Sequence, residues 1–591
     1  MPLSSSTSIV APNPVKDSTE AQTALIINSD FTFTEDMNTP IIVAADHVVI
    51  DGNGFTLQGP DAGNDPNVFL VGIDISMKSK VTVKNLLIQG WDVGIGMYRG
   101  SKCKILDNTI MFCHIGLVDS GGVKNMISGN TANSNGYVGF QILSSYKNQL
   151  LKNLANDNGW GGFFLGSSSE NRIVENTAIG NNVGQAHPAW GNGFMVFYSS
   201  SGNYFTHNFA SSNGRGFWLN TGTSDNDLVE NIATDEWDGI NLFESRNNYL
   251  SGNTITSCEN GILAAGAVEN WLEANVISWP LGGPYYPPGE DYIYPNFGIA
   301  ITEGGDNTAI RNSVSNLPVG FWLDWTENNY LVENTATNCY QEGFRVLASD
   351  FNTLEHNMAT YTIELPEFWM PSGFYVFEVL PGVIESSGNN VFLENTATNV
   401  VFGYRMGEGT YETELIRNEA LYNRRGFEGG GTGMHYIENI ASYNSECGFS
   451  IRASDSYFIG NTITHNGFAI YGHGIWMIDS DRNVFQNNYI FDSYRGFEFA
   501  GDSNDNRVYN NTIEGSYASL IIIDTSMSNY VYHNNFISET NLVWYGPGPL
   551  IDYNYLYNPD SLEGNYWSDY DGTTIPWHFD PYPFMTMNGW L

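Results

Sequence analysis

A glycine followed by a large apolar residue, any residue and usually a second apolar one recurs along most of this chain. Successive glycines are mostly 22 or 23 residues apart, as from Gly72 to Gly94 and from Gly116 to Gly139. A fixed period of this kind predicts a solenoid, in which each repeat buries its apolar face only by stacking on its neighbours. The repeat glycines are Gly72, Gly94, Gly116, Gly139, Gly162, Gly193, Gly216, Gly239, Gly261, Gly298, Gly320, Gly343, Gly373, Gly403, Gly426, Gly448, Gly474 and Gly496.

A second pattern, two asparagines separated by four residues and often followed by threonine, runs in phase with the glycines. The stretches between them alternate in polarity, as in Arg172–Glu175, and this period of two predicts strands. Asparagine at a fixed phase predicts left-handed turns whose side-chain amides stack from one coil to the next. Examples are Asn148/Asn153, Asn171/Asn176, Asn203/Asn208, Asn226/Asn231, Asn329/Asn334, Asn352/Asn357, Asn390/Asn395 and Asn506/Asn511.

These patterns predict an all-β fold, a single right-handed parallel β-helix of about 19–20 coils. Coils would stack about 4.8 Å apart as parallel sheets, and parallel crossovers favour the right hand. We assign residues 1–66 to an N-terminal segment and cap, residues 67–540 to the β-helix, and residues 541–591 to an aromatic and acidic C-terminal cap. Such caps cover the open apolar ends of a solenoid.

The charge balance restricts the partners of the chain. There are 64 Asp and Glu residues against 23 Lys and Arg residues, and the net charge is −41. Such a surface repels nucleic acid and anionic membranes. All lysines lie between Lys16 and Lys152, so every later fixed cation is an arginine. No apolar run reaches the roughly 18 residues that a membrane span requires.

The cysteines and the start of the chain bear on its compartment. The start, Met1 to Ser8, has neither the basic nor the apolar region of a signal peptide and is typical of a mature exported protein with an added methionine. We therefore predict a secreted, extracellular or cell-surface protein. The cysteines are odd in number and form no CxxC pair, which predicts small buried residues without a zinc site. They are Cys103, Cys113, Cys258, Cys339 and Cys447.

Two segments carry a family resemblance: the coil motif SSENRIVENTAIGNN at Ser168–Asn182 and the sequence GNYWSDYDG at Gly564–Gly572. On these motifs the chain resembles the NosD-like group of parallel β-helix repeat proteins, which are grouped with carbohydrate binding and sugar hydrolysis and are common among archaeal surface proteins. The resemblance covers roughly residues 40–575. It implies a pectate-lyase-like solenoid and a polysaccharide partner. It does not define the reaction, because one fold hosts many reactions.

Metal binding has little support in the sequence. The segment Thr573–Asp580 replaces the Asp- and Gly-rich stretch that the family resemblance would lead us to expect, so no motif indicates calcium, although calcium is possible. The histidines are scattered and no Met/His cluster occurs, which disfavours the copper role that the NosD name implies. We predict no cofactor and no metal ligands.

Insertions that lengthen the period predict loops on one face of the solenoid, often the binding face. Trp279–Phe297 is rich in proline and tyrosine. Tyr361–Pro371 and Leu380–Ser387 lie before and after the single strand that contains Gly373. We therefore predict a groove with two walls, centred on that coil.

The residue two positions after each repeat glycine is predicted to point outward, because its neighbours one and three positions after the glycine point inward. Members of this outward column on successive coils would be about 4.8 Å apart, so the four polar residues from Arg345 to Glu428 would span about 14 Å. The column reads Ala300, Trp322, Arg345, Tyr375, Arg405, Glu428, Ser450, Trp476 and Glu498, with Trp218 farther along.

These residue types point to an acidic glycan. Two guanidinium groups beside Tyr375 would favour its phenolate, which could remove the C5 proton of a uronic acid while Arg345 and Arg405 bind the carboxylate. This predicts β-elimination, or C5 epimerisation if the proton returns from the other face; Glu428 would position the sugar or supply a proton. Sugar contacts are predicted for the tryptophans and carboxylates Trp218, Trp322, Trp369, Trp476, Asp238 and Glu498.

Two alternatives stay open. Hydrolysis needs two carboxylates, and the sequence sets no unambiguous pair. Arg and Glu on neighbouring coils are also typical of plain surface ion pairs, so the chain could be a non-catalytic surface, sheath or adhesin solenoid that binds glycans or stacks into filaments. Gly472-His-Gly474 resembles only a fragment of a polygalacturonase signature. The carboxylates considered for hydrolysis are Glu342, Asp324, Glu378, Glu428, Asp238 and Glu236.

Overall fold

The structure is a computed structural model that describes residues 24–60, 70–182, 191–280, 296–361, 370–377, 386–467, 472–523, 525–545, 554–570 and 580–590. Every regular element within these ranges is a β-strand, as predicted. In this described part, no helix is long and apolar enough to cross a membrane. The chain divides into two compact units, Met1–Trp218 and Leu219–Leu591, and the strand Arg215–Leu219 contains the point of division.

Unit 1 is built from three parallel sheets, and we name the one that holds the repeat glycines sheet A. Each strand pairs in register with its equivalent on the next coil, for example Val93–Tyr98 with Ile115–Ser120. Sheet A contains Leu25–Ile27, Ile41–Val43, Val71–Asp74, Val93–Tyr98, Ile115–Ser120, Val138–Leu143, Gly161–Gly166 and Asn192–Phe197. Sheet B contains Phe31–Thr32, Val49–Asp51, Thr82–Lys84, Lys104–Leu106, Met126–Ser128, Gln149–Leu151, Arg172–Val174 and Tyr204–Thr206. Sheet C contains Thr56–Gln58, Leu87–Gln89, Thr109–Met111, Thr131–Asn133, Leu154–Asn156, Thr177–Ile179 and Phe209–Ser211.

Unit 2 has the same three kinds of sheet and one short extra pair, Ser387–Gly388 with Thr410–Tyr411. Sheet A contains Asp238–Phe243, Asn260–Ala265, Phe297–Thr302, Val319–Asp324, Glu342–Leu347, Ser372–Phe377, Phe402–Met406, Arg425–Gly429, Cys447–Ile451, His473–Ile478, Arg495–Ala500, Ala518–Ile522 and Thr540–Trp544. Sheet B contains Asp227–Val229, Tyr249–Ser251, Trp271–Glu273, Thr308–Ile310, Tyr330–Val332, Thr353–Glu355, Val391–Leu393, Glu414–Ile416, His435–Ile437, Tyr457–Ile459, Val484–Gln486, Arg507–Tyr509 and Tyr530–Tyr532. Sheet C contains Ile232–Thr234, Thr254–Thr256, Val276–Ser278, Ser313–Ser315, Thr335–Thr337, Met358–Thr360, Thr396–Thr398, Glu419–Leu421, Ile440–Ser442, Thr462–Thr464, Tyr489–Phe491, Thr512–Glu514, Asn535–Ile537 and Tyr566–Trp567.

Stacked aromatic rings fill part of the interior of unit 2. Phe344, Phe374, Tyr404 and Phe427 each follow a repeat glycine, and their ring centroids are 4.7, 4.8 and 4.7 Å apart in turn. That spacing is close to the distance between neighbouring strands, so each ring lies flat on the next. All four side chains are buried, which confirms that the position after the glycine points inward.

The repeat glycine is a steric requirement of coil stacking. A Cβ atom on Gly343 would lie 2.7 Å from the carbonyl oxygen of Gly373 and 2.7 Å from the Cβ of Ala359. A Cβ on Gly373 would meet the carbonyl oxygen of Gly403 at 2.6 Å. Because a side-chain carbon does not fit at such distances, glycine at this phase lets the backbones of successive coils approach.

The asparagine ladder confirms one prediction and corrects another. The backbone N–H and side-chain amide of Asn153 both donate to Oδ1 of Asn176 at 2.9 Å, and Asn176 donates to the carbonyl of Leu150 at 2.8 Å. The predicted amide stacking is therefore confirmed. The left-handed conformation belongs instead to the preceding residues, Lys152 and Glu175, each with φ 54°. The amide must face inward to reach the next coil, so the exposed residue before it makes the turn.

The ends of the described chain extend the regular pairing. Leu25–Ile27 pairs with Ile41–Val43, whose Ile41 pairs in turn with Ile73, although the first two strands lie within the predicted N-terminal segment. Asn535–Ile537 pairs with Tyr566–Trp567 in the C-terminal part. The domain boundaries stay a prediction. All five cysteines are buried and free, which confirms their predicted packing role.

Candidate functional site

The outward column of unit 2 has the order that the sequence predicts. Parallel register pairs Trp322 with Arg345, Arg345 with Tyr375, Tyr375 with Arg405, and Arg405 with Glu428. The column continues through Ser450, Trp476 and Glu498. The strands of sheet A therefore bring side chains from separate repeats into one row about 4.8 Å apart.

Exposure along this row is uneven. Trp322 is 3% exposed, because Phe297 packs against it edge-on at 5.9 Å and the Arg345 guanidinium lies 5.4 Å from its ring. It does not present an open ring face to a sugar. Ser450 and Glu498 are also buried, whereas Arg405 and Trp476 are partly exposed. Pointing away from the interior is thus not the same as facing solvent.

A second outward column, which the sequence reasoning missed, is formed by the residue before each repeat glycine. The repeat glycine is left out of the register pairing between neighbouring strands, which shifts the in-and-out alternation by one residue. The residue before the glycine and the residue three positions later therefore lie on the same face. Glu342 contacts Arg345 at 2.6 Å and Arg425 contacts Glu428 at 3.2 Å. The signal lay in repeated motifs with opposite charges at their ends: Glu-Gly-Phe-Arg at residues 342–345 and Arg-Gly-Phe-Glu at residues 425–428 and 495–498.

Arg405 is a cation of this face whose outer nitrogens are left for a ligand. Its guanidinium lies 5.0 Å from the rings of both Tyr375 and Phe402, and its side chain is 40% exposed. Its Nε contacts Glu428 at 3.4 Å, which is the only polar partner of this guanidinium in the described part of the chain. The two aromatic faces hold the planar group in place while its outer nitrogens stay open.

A tighter ion-pair network adjoins Arg405. Glu446 accepts from Arg425 at 2.6 Å and from Arg424 at 2.6 Å, and Arg425 also contacts Glu428. Burial raises the pKa of Glu446, but the hydrogen bonds and charges of the two arginines outweigh it, so the pKa is lowered. The carboxylate is therefore held ionised, and it contacts Arg424 and Arg425 at 2.6 Å, closer than the 3.4 Å between Glu428 and Arg405.

The expectation of a favoured phenolate at Tyr375 is wrong. Burial raises the pKa of Tyr375 above its ordinary value, and Glu342 and Glu428 act in the same direction. Arg405 and Arg345 lower it, but they do not prevail. Arg345 is already paired with Glu342 at 2.6 Å, which weakens its effect on the phenol. Tyr375 therefore carries its proton at neutral pH.

The carboxylates considered for hydrolysis are mostly separated or buried in the structure. Asp324 pairs in register with Leu347 and Glu342 with Val319, so they lie at opposite ends of neighbouring strands, about 16 Å apart along the strand. Asp238 is buried and accepts amide hydrogen bonds from Asn241 and Asn260, both at 2.9 Å. Glu236 is buried as well. Glu428 and Glu446, which share Arg425, are the carboxylates brought nearest to the centre of the row.

His473, the centre of the Gly-His-Gly triplet, belongs to the second column and is 5% exposed. Its Nε2 lies 3.1 Å from Oε2 of Glu498, which also accepts from Arg495 at 2.6 Å. Its ring stacks on Trp476 with centroids 5.0 Å apart and an angle of 8°. Burial raises the pKa of Glu498, but His473 and Arg495 together lower it below the ordinary value.

Several predicted features cannot be placed on this face. Trp369, Glu378 and most of the three insertions lie outside the described residues. Trp218 lies in unit 1, where Phe197 packs edge-on against it at 4.7 Å and the Arg215 guanidinium lies 4.4 Å from its ring. The predicted groove walls therefore stay a prediction.

Two family models match the sequence. The model described as "Right handed beta helix region" matches residues 67–210, 189–282 and 232–397, which together exceed half of the chain. The model described as "Periplasmic copper-binding protein (NosD)" matches residues 377–572. None of the curated proteins matches significantly.

Solved structures to which the chain is similar include enzymes and an adhesin. The mannuronan C-5 epimerase A-module of Azotobacter vinelandii is 13% identical over 66% of this chain and 90% of its own, with a TM-score of 0.32. PfbA, a surface adhesin of Streptococcus pneumoniae, is 10% identical over 66% and 84%, with a TM-score of 0.35. An α-1,3-glucanase catalytic domain is 12% identical over 68% and 70%, with a TM-score of 0.33.

The copper named by the second family model does not fit the described residues. Among them, no three His, Cys, Asp or Glu side chains converge as metal ligands. Each histidine of the matched stretch faces a single carboxylate: the pairs are His435–Glu414, His465–Asp492, His473–Glu498 and His533–Glu563. We therefore assign no step to a metal.

Proposed function

Because this chain belongs to the right-handed parallel β-helix family and has a NosD-like C-terminal part, we propose that it is an extracellular polysaccharide-active protein. The binding surface is the outward face of sheet A in unit 2, and the ligand is an acidic glycan. This surface comprises the outward column from Trp322 to Glu498 and the column of residues before the repeat glycines.

Arg405 carries this proposal. A half-open guanidinium held between two aromatic rings offers parallel N–H donors to a carboxylate, and such bidentate pairs are strong and directional. Its neighbours Arg345 and Arg425 are already bound to glutamates. A uronate carboxylate would therefore bind at Arg405.

The concentration of cations supports the same ligand. The chain has only 11 arginines and no lysines after Trp218. Five of these arginines lie on or beside this face, in a protein of net charge −41. Although glutamates of the same face pair with most of them, the arginines make this face less negative than the rest of so acidic a surface, so an anionic chain meets less repulsion here. The arginines are Arg345, Arg405, Arg424, Arg425 and Arg495.

The order Tyr375, Arg405, Glu428 supports lyase chemistry on a carboxylate bound at Arg405. In this proposal Glu428 removes the C5 proton and the electron pair forms the C4–C5 double bond while the C4–O bond breaks. Protonated Tyr375 gives its proton to the leaving oxygen, and Arg405 stabilises the charge that builds up on the carboxylate. Return of a proton to the opposite face of C5 without bond cleavage would give epimerisation.

The first experiment is a panel of acidic and neutral polysaccharides assayed for unsaturated uronate ends by ultraviolet absorbance and for reducing ends by colour. Arg405→Ala should weaken binding of the active glycan by about ten-fold or more, because a charged hydrogen-bonded pair is lost. Arg417→Ala is the matched control, since Arg417 pairs with Glu394 in the turns that follow two sheet B strands and its side chain is 48% exposed. Reducing ends without absorbance would indicate a hydrolase and direct attention to Glu428 and Glu446. Equal affinity of Arg405→Ala and Arg417→Ala for the glycan would contradict the proposal.

A second candidate function is non-catalytic glycan binding at the same surface. The raised pKa of Tyr375 and the paired state of Arg345 and Arg425 favour it, because they leave a stable recognition surface without a phenolate base. Binding that depends on Arg405 without any product in either assay would support this function. A non-catalytic solenoid could also assemble end to end into filaments. An increase in light scattering with protein concentration would support that assembly.

A further inference from the structure

Trp476 is held in one orientation by a buried charged network. The His473 ring lies parallel to the Trp476 indole, and the His473 Nε2 contacts Glu498. Arg495 donates to the same Glu498 oxygen at 2.6 Å. Since His473 and Glu498 are 5% and 3% exposed, the network is fixed by its surroundings. A platform that is already rigid loses little entropy when a ligand stacks on it.

Two ring nitrogens in this cluster lack hydrogen-bond partners. Within the described residues, neither Nδ1 of His473 nor Nε1 of Trp476 has one, although both atoms are buried. Buried polar atoms are nearly always paired, so these two nitrogens keep a capacity for hydrogen bonding that the described residues do not use. The indole N–H can only donate, so its partner must bring an oxygen acceptor, such as a hydroxyl or a carboxylate. A sugar ring has both an apolar face for stacking and such oxygens.

The spacing to Arg405 defines the length of glycan that reaches both points. Register runs from Arg405 through Glu428 and Ser450 to Trp476, which is three coil steps or about 14 Å. One coil step is comparable with the length of one sugar residue in an extended chain. A ligand anchored by a carboxylate at Arg405 therefore places its fourth residue beside Trp476.

We propose that Trp476 is a sugar-stacking subsite, oriented by His473 and Glu498, for the fourth residue of an acidic glycan whose first carboxylate binds Arg405. The inference rests on the proposed function, and it adds a minimum chain length. His473 is a positioning residue here, acting through Trp476.

The test is a titration of the full chain with purified acidic oligosaccharides from dimer to octamer, followed by calorimetry and by tryptophan fluorescence. Wild-type affinity should rise steeply between trimer and tetramer. Trp476→Ala should remove this step and lower tetramer affinity about ten-fold, while dimer affinity stays unchanged. Trp476→Phe should retain most of the step, and Trp271→Ala, which removes an exposed sheet B tryptophan, should retain all of it.

The orienting role has its own readout. His473→Ala should reduce the ligand-induced change in Trp476 fluorescence and lower tetramer affinity several-fold, and His473→Phe, which keeps the stacked ring, should restore much of both. An unchanged length dependence in Trp476→Ala, with binding still lost in Arg405→Ala, would overturn the subsite alone. Failure of every acidic oligosaccharide to bind the wild type would overturn both the subsite and the proposed function.

Discussion

Asp119 provides a direct test of how the interior of unit 1 is built. The side chain is fully buried, and its register neighbours Met97 and Ile142 are apolar. Asn125 and Asn148 each donate to Oδ2 at 3.1 Å, while Oδ1 has no partner among the described residues. Burial raises the pKa of Asp119 from its ordinary value of 3.8 to about 7, and the Asn125 hydrogen bond opposes this only in part.

The sign of the pH effect follows from the raised pKa. The fold favours the neutral acid, so the stability contributed by Asp119 is complete below about pH 4, declines as the pH rises and is lost above about pH 7. The gap between 3.8 and about 7 corresponds to roughly 4 kcal/mol. Asp119→Asn has nearly the same shape and cannot ionise. The free energy of unfolding of the variant minus that of the wild type should therefore rise by about 4 kcal/mol from pH 4 to pH 8.

Urea unfolding of the full chain at a series of pH values, followed by circular dichroism, measures this difference. Asp455→Asn is the control, because Asp455 is a surface carboxylate that Arg482 contacts at 2.7 Å and whose pKa that arginine lowers. Its variant should lose stability at neutral pH and regain parity with the wild type in acid, which is the opposite slope. A difference between Asp119→Asn and wild type that is constant across the pH range would refute the account of Asp119.

Three further predictions concern the site and the coils. Ultraviolet titration should show that the phenolate difference between wild type and Tyr375→Phe develops only above pH 10.0, the ordinary pKa of tyrosine, because burial raises the pKa of Tyr375; an earlier phenolate would contradict this. Asn176→Ala should lower the free energy of unfolding by about 3 kcal/mol in urea, since it removes the acceptor of the Asn153 backbone N–H, one of the two acceptors of the Asn153 amide, and a donor to the Leu150 carbonyl; a change near zero would show that the ladder does not stabilise the stack. Gly343→Ala should cost about 2 kcal/mol or more and lower the melting temperature, because its Cβ would collide with the Gly373 carbonyl at 2.7 Å; an unchanged melting temperature would mean that the coils can separate without loss.

The row of outward residues in the candidate site could be predicted from the sequence, whereas the second column beside it could not, for a physical reason. The row Arg345, Tyr375, Arg405 and Glu428 followed from the repeat period alone, because in-register coils place equal phases side by side. The column containing His473 was missed because strict alternation places the residue before the glycine on the inward face. In the structure the glycine is left out of the pairing, and that residue points outward. The sequence motifs with opposite charges at their ends contained this information.

The sequence by itself determined the parallel β-helix, the register of its coils and the order of the outward column. These properties depend on steric rules that repeat within each coil: glycine where backbones meet, asparagine where amides stack, and an aromatic residue turned inward. Only the tertiary structure decided that Trp322 is covered, that Arg345 is buried in a tight ion pair while Arg405 is more exposed and more loosely paired, and that Tyr375 keeps its proton. Burial and charge at these positions come from side chains on neighbouring coils, whose reach and rotamers no local pattern fixes.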